Sequence, residues 1–262
     1  MIHYKSEEEI ELIKISSLLV GKTLAEVAKS IKPGIRTILL DTLAEEFIRD
    51  NFAIPGFKNY RNYPNTLCIS VNAEVVHGIP GEREIKEGDI ISIDCGVVKN
   101  GYFGDSAYTF AVGAIDEKVA WLLKATKKAL YLGIEKARLG NRVGDISSVI
   151  QSYCESNGYS VVRELVGHGV GKKLHEKPEV PNYGKRGRGV KISEGLVIAI
   201  EPMINMGKKE VLRLKDGWTI TTADGMPSAH FEHTVAVKKD KTDILSSFEE
   251  IEKIDNINLT KI

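Results

Sequence analysis

Asp94, Asp105, Glu201 and Glu232 are acids set in apolar, strand-like surroundings, and His168 lies in a glycine-rich turn between the two pairs. The stretch Glu87-Gly-Asp-Ile-Ile-Ser-Ile-Asp94 reappears as Glu194-Gly-Leu-Val-Ile-Ala-Ile-Glu201. Each copy is a Glu-Gly turn, an apolar strand, and then a carboxylate where a core strand should stay apolar. An ionised carboxylate is costly to bury unless a cation or hydrogen-bond donors compensate it. Two such strands imply a shared buried positive charge, and a metal ion is its simplest source. A single Asp in a strand is ordinarily an edge or turn residue; four acids facing one way in repeated units are not.

The elements that carry these residues follow from periodicity. Ser6 and Glu9 match a capping box, and Ile10, Ile13, Val20, Leu24, Val27 and Ile31 recur at helical spacing until Pro33-Gly34. A second helix starts at Thr37, with Ile38, Leu39, Leu43, Phe47 and Ile48 as its apolar stripe. Strands are expected at about 66–72 and 89–97, and Asn100-Gly101 predicts a tight hairpin turn before a strand over 105–112. The order then repeats: a helix from Asp116 to about Leu139, a helix over 143–156, and strands at about 160–167, 195–201, 218–222 and 231–237. The inter-helix turns match too, Lys32-Pro-Gly-Ile-Arg36 against Arg138-Leu-Gly-Asn-Arg142. The expected fold is α+β, with pseudo-twofold duplicated helix–helix–antiparallel-sheet units over roughly 6–112 and 116–240, in a single domain spanning 1–262.

The hairpin fixes a register. If Asn100 and Gly101 form a two-residue turn, Asp105 lies opposite Gly96, and Asp94 and Asp105 become diagonal neighbours on one face. Diagonal Cβ atoms are ~7–8 Å apart, close enough for two carboxylates to hold an ion between them. Ser92, Gly96, Ala107 and Thr109 share that face, whereas Ile91, Ile93, Tyr108, Phe110 and Val112 form an ordinary core face. The second half repeats the division, with Ala199, Glu201, Glu232, Thr234 and Ala236 against Ile198, Ile200, Phe231, Val235 and Val237. Small residues beside acids leave room for ions and substrate, where core packing would favour bulk.

Other motifs are weaker. In Gly167-His-Gly-Val-Gly171 a neutral imidazole can add a nitrogen ligand to a carboxylate-rich site. The phosphate-loop pattern Gly-x-x-x-x-Gly-Lys-[Ser/Thr] is missing, and His230-Phe-Glu-His233 lacks the spacing of the His-Glu-x-x-His zinc helix. His230 shares the face of Glu232, and His233 points the other way. Lys185, Arg186, Arg188 and Lys191 are interleaved with glycines and read as a solvated loop or as a contact for an anionic partner. Lys+Arg and Asp+Glu number 36 each, so global charge favours neither nucleic acid nor an anionic membrane. The three cysteines form no CxxC pair, which argues against a disulfide framework and for a reducing cytoplasm. The N-terminal residues lack a signal-peptide apolar region, and no apolar run approaches the ~18 residues that span a bilayer. Near-zero net charge is compatible with a monomer.

The ordered set Asp94, Asp105, His168, Glu201 and Glu232 resembles the dinuclear metal site of the pita-bread metallopeptidases, and more narrowly that of the type I methionine aminopeptidases. Supporting stretches are Val76-His-Gly-Ile-Pro-Gly81, Asp94-Cys-Gly, Gly104-Asp-Ser, Gly167-His-Gly-Val-Gly, His175-Glu, Glu201-Pro-Met and Phe231-Glu-His-Thr, which span nearly the whole chain. The resemblance implies a pita-bread fold with its active site on the inner face of a curved sheet. It implies two divalent ions (Mn, Fe, Co or Zn), with Asp94 on one, His168 and Glu201 on the other, and Asp105 and Glu232 bridging them. An ion-bridged hydroxide would attack the carbonyl of an N-terminal methionine, preferably ahead of a small second residue, with Glu201 moving the proton. His77 and His175 would contact the scissile amide, and Tyr60, Tyr63, Cys68 and Trp218 would line the methionine pocket. Phe57 and Leu174 depart from the bacterial pattern of Cys and Phe at those positions, which bears on pocket shape and not on the reaction. The implied partners are nascent polypeptide N-termini, met through transient ribosome association. The rivals are a proline-directed relative, of the Xaa-Pro aminopeptidase or prolidase type, and a non-catalytic pita-bread module that binds protein or RNA. An N-terminal zinc-binding extension, the long insertion of type II enzymes and the separate N-terminal domain of the proline-directed relatives are not expected here.

Overall fold

The computed structural model describes residues 1–254; the last positions of the single domain expected over 1–262 lie outside the described residues. Helix α1 (Glu7–Ala28) starts at the anticipated box, where Ser6 Oγ accepts from the Glu9 amide at 3.3 Å and Glu9 Oε2 accepts from the Ser6 amide at 3.0 Å. Such reciprocal capping satisfies two of the amides that a helix start leaves without partners. Helices α2 (Thr37–Asp50), α3 (Glu117–Lys136) and α4 (Val143–Ser156) follow, then a short α5 (Glu249–Glu252). None of the helices among the described residues is long and apolar enough to cross a membrane.

The central hairpin pairs Ile90–Lys99 with Tyr102–Ala111. Asn100 and Gly101 both take positive φ, 54° and 77°, as a tight two-residue turn requires, so Lys99 pairs with Tyr102 and Gly96 with Asp105. The face away from the acids is apolar: Ile91, Ile93, Tyr108 and Phe110 are buried in one core with Leu24 of α1 and Leu40 of α2. The helix α1 lies so close that a Cβ at Gly104 would stand 2.3 Å from the Ser17 amide nitrogen, which only glycine tolerates. Ile198, Ile200, Phe231 and Val235 of the second half join the same core, beside Leu122, Leu123 and Leu130 of α3. The α+β class anticipated from the sequence is thus what forms: helices cover one side of antiparallel strands, and the acids occupy the other.

A second sheet runs in the order Thr242–Ile244, His233–Val237, Val197–Ile200, Gly167–Gly169, Glu176–Val180. Two expected strands are broken. Over 160–167 only Ser160–Val161 and Gly167–Gly169 pair, and they do so in different sheets; Leu165 and Val166 between them line a cavity. The strand expected at 231–237 pairs only over His233–Val237; Phe231-Glu232 is unpaired and separates it from a further strand, Ser228–His230. Likewise Val197–Ile200 stops just before Glu201. Trp218 lies ahead of its expected strand, which begins at Ile220.

Candidate metal centre

Asp94 sits mid-strand opposite Ala107 and beside Cys68 of the Leu67–Val71 strand, and Asp105 lies opposite Gly96. The small residues around them have definite uses. Gly96 leaves space for Phe57, whose ring would be 2.4 Å from a Cβ there. Ser92 and Thr109 share a hydroxyl–hydroxyl bond at 2.8 Å, and Thr109 Oγ1 donates to the His230 carbonyl at 2.7 Å.

Glu232 arrives beside Asp105 through backbone contacts across the two halves. Its amide donates to the Ala107 carbonyl at 2.9 Å, Ser106 Oγ donates to the Glu232 carbonyl at 2.6 Å, and Thr234 Oγ1 donates to the Asp105 carbonyl at 2.8 Å. Glu201 is fixed by Asn182, whose side-chain amide donates to the Glu201 carbonyl at 2.8 Å. The imidazole of His168 donates Nδ1–H to the Gly169 carbonyl at 3.0 Å, which leaves Nε2 bare. That nitrogen lies 3.5 Å from Glu201 Oε1 and 3.7 Å from Asp105 Oδ2. Ligand atoms of Asp105, His168 and Glu232 fall within 4.8 Å of one another.

The electrostatics demand a cation. Among the described residues, Asp94 Oδ1, Asp105 Oδ1 and Glu232 Oε1 are buried without a hydrogen-bond partner. Burial pushes Asp94 up to about 7 and raises Asp105, Glu201 and Glu232 well above the usual carboxylate range, with mutual repulsion adding to the last three. Burial, reinforced by His175, holds His168 down at about 3, so its ring is neutral and fit to ligate. Orphaned oxygens, crowded acids and a bare imidazole nitrogen form a donor set suited to divalent cations and expensive to maintain without them.

The centre opens into a cavity of about 190 Å³, more than ten times the roughly 10–15 Å³ one water needs by the same measure. Phe57, Tyr63, Cys68 and Leu174 pack together as one apolar wall, flanked by Tyr60 and Trp218. His77 and His175 both line the cavity, and burial lowers each to about 4, so both rings are neutral near pH 7. Tyr60 Oη is 2.8 Å from His175 Nδ1. His77 takes φ of 60°, a strained angle for a residue with a side chain. Its neighbour Gly78 holds the turn: the Gly78 carbonyl accepts from the Ile69 amide and from Tyr63 Oη, each at 2.9 Å. A Cβ at Gly78 would stand 2.2 Å from the Ile69 oxygen, so the strain is imposed by a backbone contact that glycine alone permits.

All the residues singled out from the sequence for metal, amide or side-chain contact therefore border one cavity. His230 lies behind it, with Nε2 3.9 Å from Glu201 Oε2. His233 faces away: its Nδ1 is 2.6 Å from Ser246 Oγ, and its ring stacks on Phe248. Arg61, Leu165 and Val166 also line the cavity, and nothing in their types or spacing marks them in the sequence.

Residues 11–239 match the model of metallopeptidase family M24. A methionine aminopeptidase of Clostridium perfringens is 52% identical over 246 residues, which cover 94% of this chain and 99% of that protein. The crystal structure of a methionine aminopeptidase from Thermotoga maritima superimposes with a TM-score of 0.93 at 43% identity, covering 94% of this chain and 100% of its own. A prolidase from Pyrococcus horikoshii shares the fold at a TM-score of 0.74 and 22% identity, over 93% of this chain and 63% of the prolidase chain. With its helices behind antiparallel strands and its acids on the open face, the chain has the pita-bread fold and belongs to metallopeptidase family M24, among the methionine aminopeptidases.

Proposed function

We propose that this chain removes the N-terminal methionine from polypeptides, preferring a small second residue. The observation that carries the reading is the convergence of four acids, Asp105 and Glu232 buried and Asp94 and Glu201 nearly so, and a bare imidazole nitrogen on the floor of a histidine-edged cavity with an apolar wall. In this assignment Asp94 would hold one divalent ion, His168 and Glu201 would hold a second, and Asp105 and Glu232 would offer oxygens to both. An oxygen-rich set with one imidazole accepts Mn, Fe, Co or Zn. When bound, the ions polarise the scissile carbonyl and make water nucleophilic at neutral pH.

The side chains do the rest. Tyr60, Tyr63, Cys68 and Trp218 surround the methionine side chain, whose thioether suits an apolar, polarisable wall. Glu201 takes a proton from the attacking water and passes it toward the leaving nitrogen. With Tyr60 donating its O–H to Nδ1, the proton of the neutral His175 ring resides on Nε2, ready to be donated to the oxygen that gains charge. His77, neutral and aimed by its strained turn, contacts the departing amide. The substrates are nascent-chain N-termini met in the cytoplasm by a monomer in transient contact with the ribosome, since translation is the source of free N-terminal methionine.

The test compares Met-Ala-Ser, Met-Lys and Xaa-Pro peptides, with and without a chelator. Chelator-sensitive release of methionine from Met-Ala-Ser is the expected result. Preferred cleavage of the Xaa-Pro peptide, or no cleavage of any peptide by metal-loaded protein, overturns the reading.

A further inference from the structure

Lys5 lies ahead of α1, and its side chain is only 1% exposed. Its Nζ donates to Glu176 Oε2 at 2.5 Å and to the His3 carbonyl at 3.0 Å, while its backbone amide donates to the Gly195 carbonyl at 2.7 Å. The other oxygen of Glu176 accepts from the Lys173 amide at 3.3 Å. One carboxylate thus closes the turn from Lys173 to Glu176, and Leu174 and His175 are the residues inside it. Two glycines make room for the pair. A Cβ at Gly171 would stand 2.5 Å from Glu176 Oε1 and 2.7 Å from Lys5 Cε, and a Cβ at Gly195 would stand 2.6 Å from the Lys5 carbonyl oxygen.

The His175 ring has its own polar anchor, Tyr60, on a segment where Asn59, Arg61 and Asn62 all have positive φ. That anchor sets the tilt of the ring; the position of its backbone depends on what holds the turn. Among the described residues, neither Lys5 nor Glu176 has a hydrogen bond or ion pair to the four acids, so this device is separate from the metal centre. A buried ammonium and a partly buried carboxylate hold their positions jointly, because removing the carboxylate leaves the ammonium uncompensated.

We propose that the Lys5–Glu176 ion pair is a positioning device, through which the segment ahead of α1 sets where His175 meets the scissile amide. The proposal rests on the peptidase reading above, in which His175 touches substrate. A misplacement of about 1 Å at a reacting group can cost on the order of a hundredfold in rate.

The experiment measures kcat and KM of metal-loaded Lys5→Met, Lys5→Arg and Glu176→Gln on Met-Ala-Ser, with metal content and circular dichroism as controls. Lys5→Met is expected to lose about tenfold or more in kcat, with KM within roughly twofold of wild type, full metal content and native dichroism. Lys5→Arg, which restores the cation, is expected to recover most of the loss. Wild-type kcat in Lys5→Met overturns the proposal, as does joint loss of kcat and bound metal, or Lys5→Arg no better than Lys5→Met. Should Lys5→Met fail to fold, Glu176→Gln decides. It keeps the volume and an acceptor for Lys173 but removes the charge; a fall in kcat at constant KM supports the proposal, and wild-type kcat ends it. Wild-type protein that releases no methionine would instead overturn the peptidase reading, a failure visible before any variant is made.

Discussion

The two halves of the chain deliver their acids to one place by different means. Asp94 and Asp105 project from an unbroken hairpin, each paired in register on both sides of its position. Glu201 and Glu232 instead stand at interruptions, one just past Val197–Ile200 and the other between Ser228–His230 and His233–Val237. A short side chain on a regular strand and a longer one on a broken strand reach a common centre. The ladder fixes the Asp carboxylates almost completely, while the Glu pair trades ladder bonds for reach and is secured by other groups, Ala107, Ser106 and Asn182.

The strongest challenge to this comparison is deletion. Asp94→Ala and Glu232→Ala should each lose methionine release by a factor on the order of 10⁴ or more, since members of one catalytic unit fail together. Turnover by either variant within tenfold of wild type would remove that residue from the unit. Changing side-chain length probes the asymmetry itself. An added methylene at Asp105→Glu, on a strand whose register is fixed, pushes the carboxylate against His168 and the neighbouring acids and is expected to cost about 1–3 kcal/mol in stability. Glu232→Asp shortens a side chain at a break, and should weaken metal binding ~10–100-fold with less than about 1 kcal/mol lost in the chelated form. Denaturant melts and metal titrations of both variants check this; equal destabilisation would erase the distinction.

pH offers a further probe. In chelated protein, burial pushes Asp94 up from its ordinary 3.8 to about 7. The stability tied to its protonated form is present below pH ~4 and is lost as pH rises through about 7. Bound cations stabilise the ionised form, so the gap in Tm between metal-loaded and chelated protein should widen from pH 5 to pH 8. A constant gap would mean that the acids are already ionised without metal. His233, held near 3 chiefly by burial and packed on Ser246 and Phe248 away from the four acids, acts in the opposite sense: it withdraws stability as pH falls from 6.5 toward 3 in both forms. The smallest effect lies in the hairpin turn. Gly101→Ala, at φ of 77° with open space around it, should cost about 1 kcal/mol and leave kcat unchanged. A urea melt and one turnover assay suffice to check it.

This asymmetry also decides what the sequence could reveal. Asn100-Gly101 dictates a turn, the turn dictates a register, and the register places Asp105 opposite Gly96; each step is local, so the first half is legible. The strand end at Glu201 is local, since Pro202 has no N–H to give a ladder. The break at Glu232 goes with contacts to Ala107 and Ser106, distant in the chain, and an apolar run carries no trace of it. The strand Glu176–Val180 escapes a reading by alternation because Glu-Lys-Pro-Glu-Val has little, and Pro178 is tolerated because the strand lies at a sheet edge. Leu165 and Val166 read as strand residues but serve the cavity. His77 shows neither its strain nor its orientation in sequence, since both come from the contact of Gly78 with Ile69.

The bonds from Ser106 to the Glu232 carbonyl and from Thr234 to the Asp105 carbonyl have one more consequence. They join the main chains on which Asp105 and Glu232 are mounted, so the spacing of those mounts is inherited from the fold and not from any occupant. Stripped protein should then keep a ready-made template, reload without passing through an unfolded state, and discriminate among cations by fit to a fixed gauge.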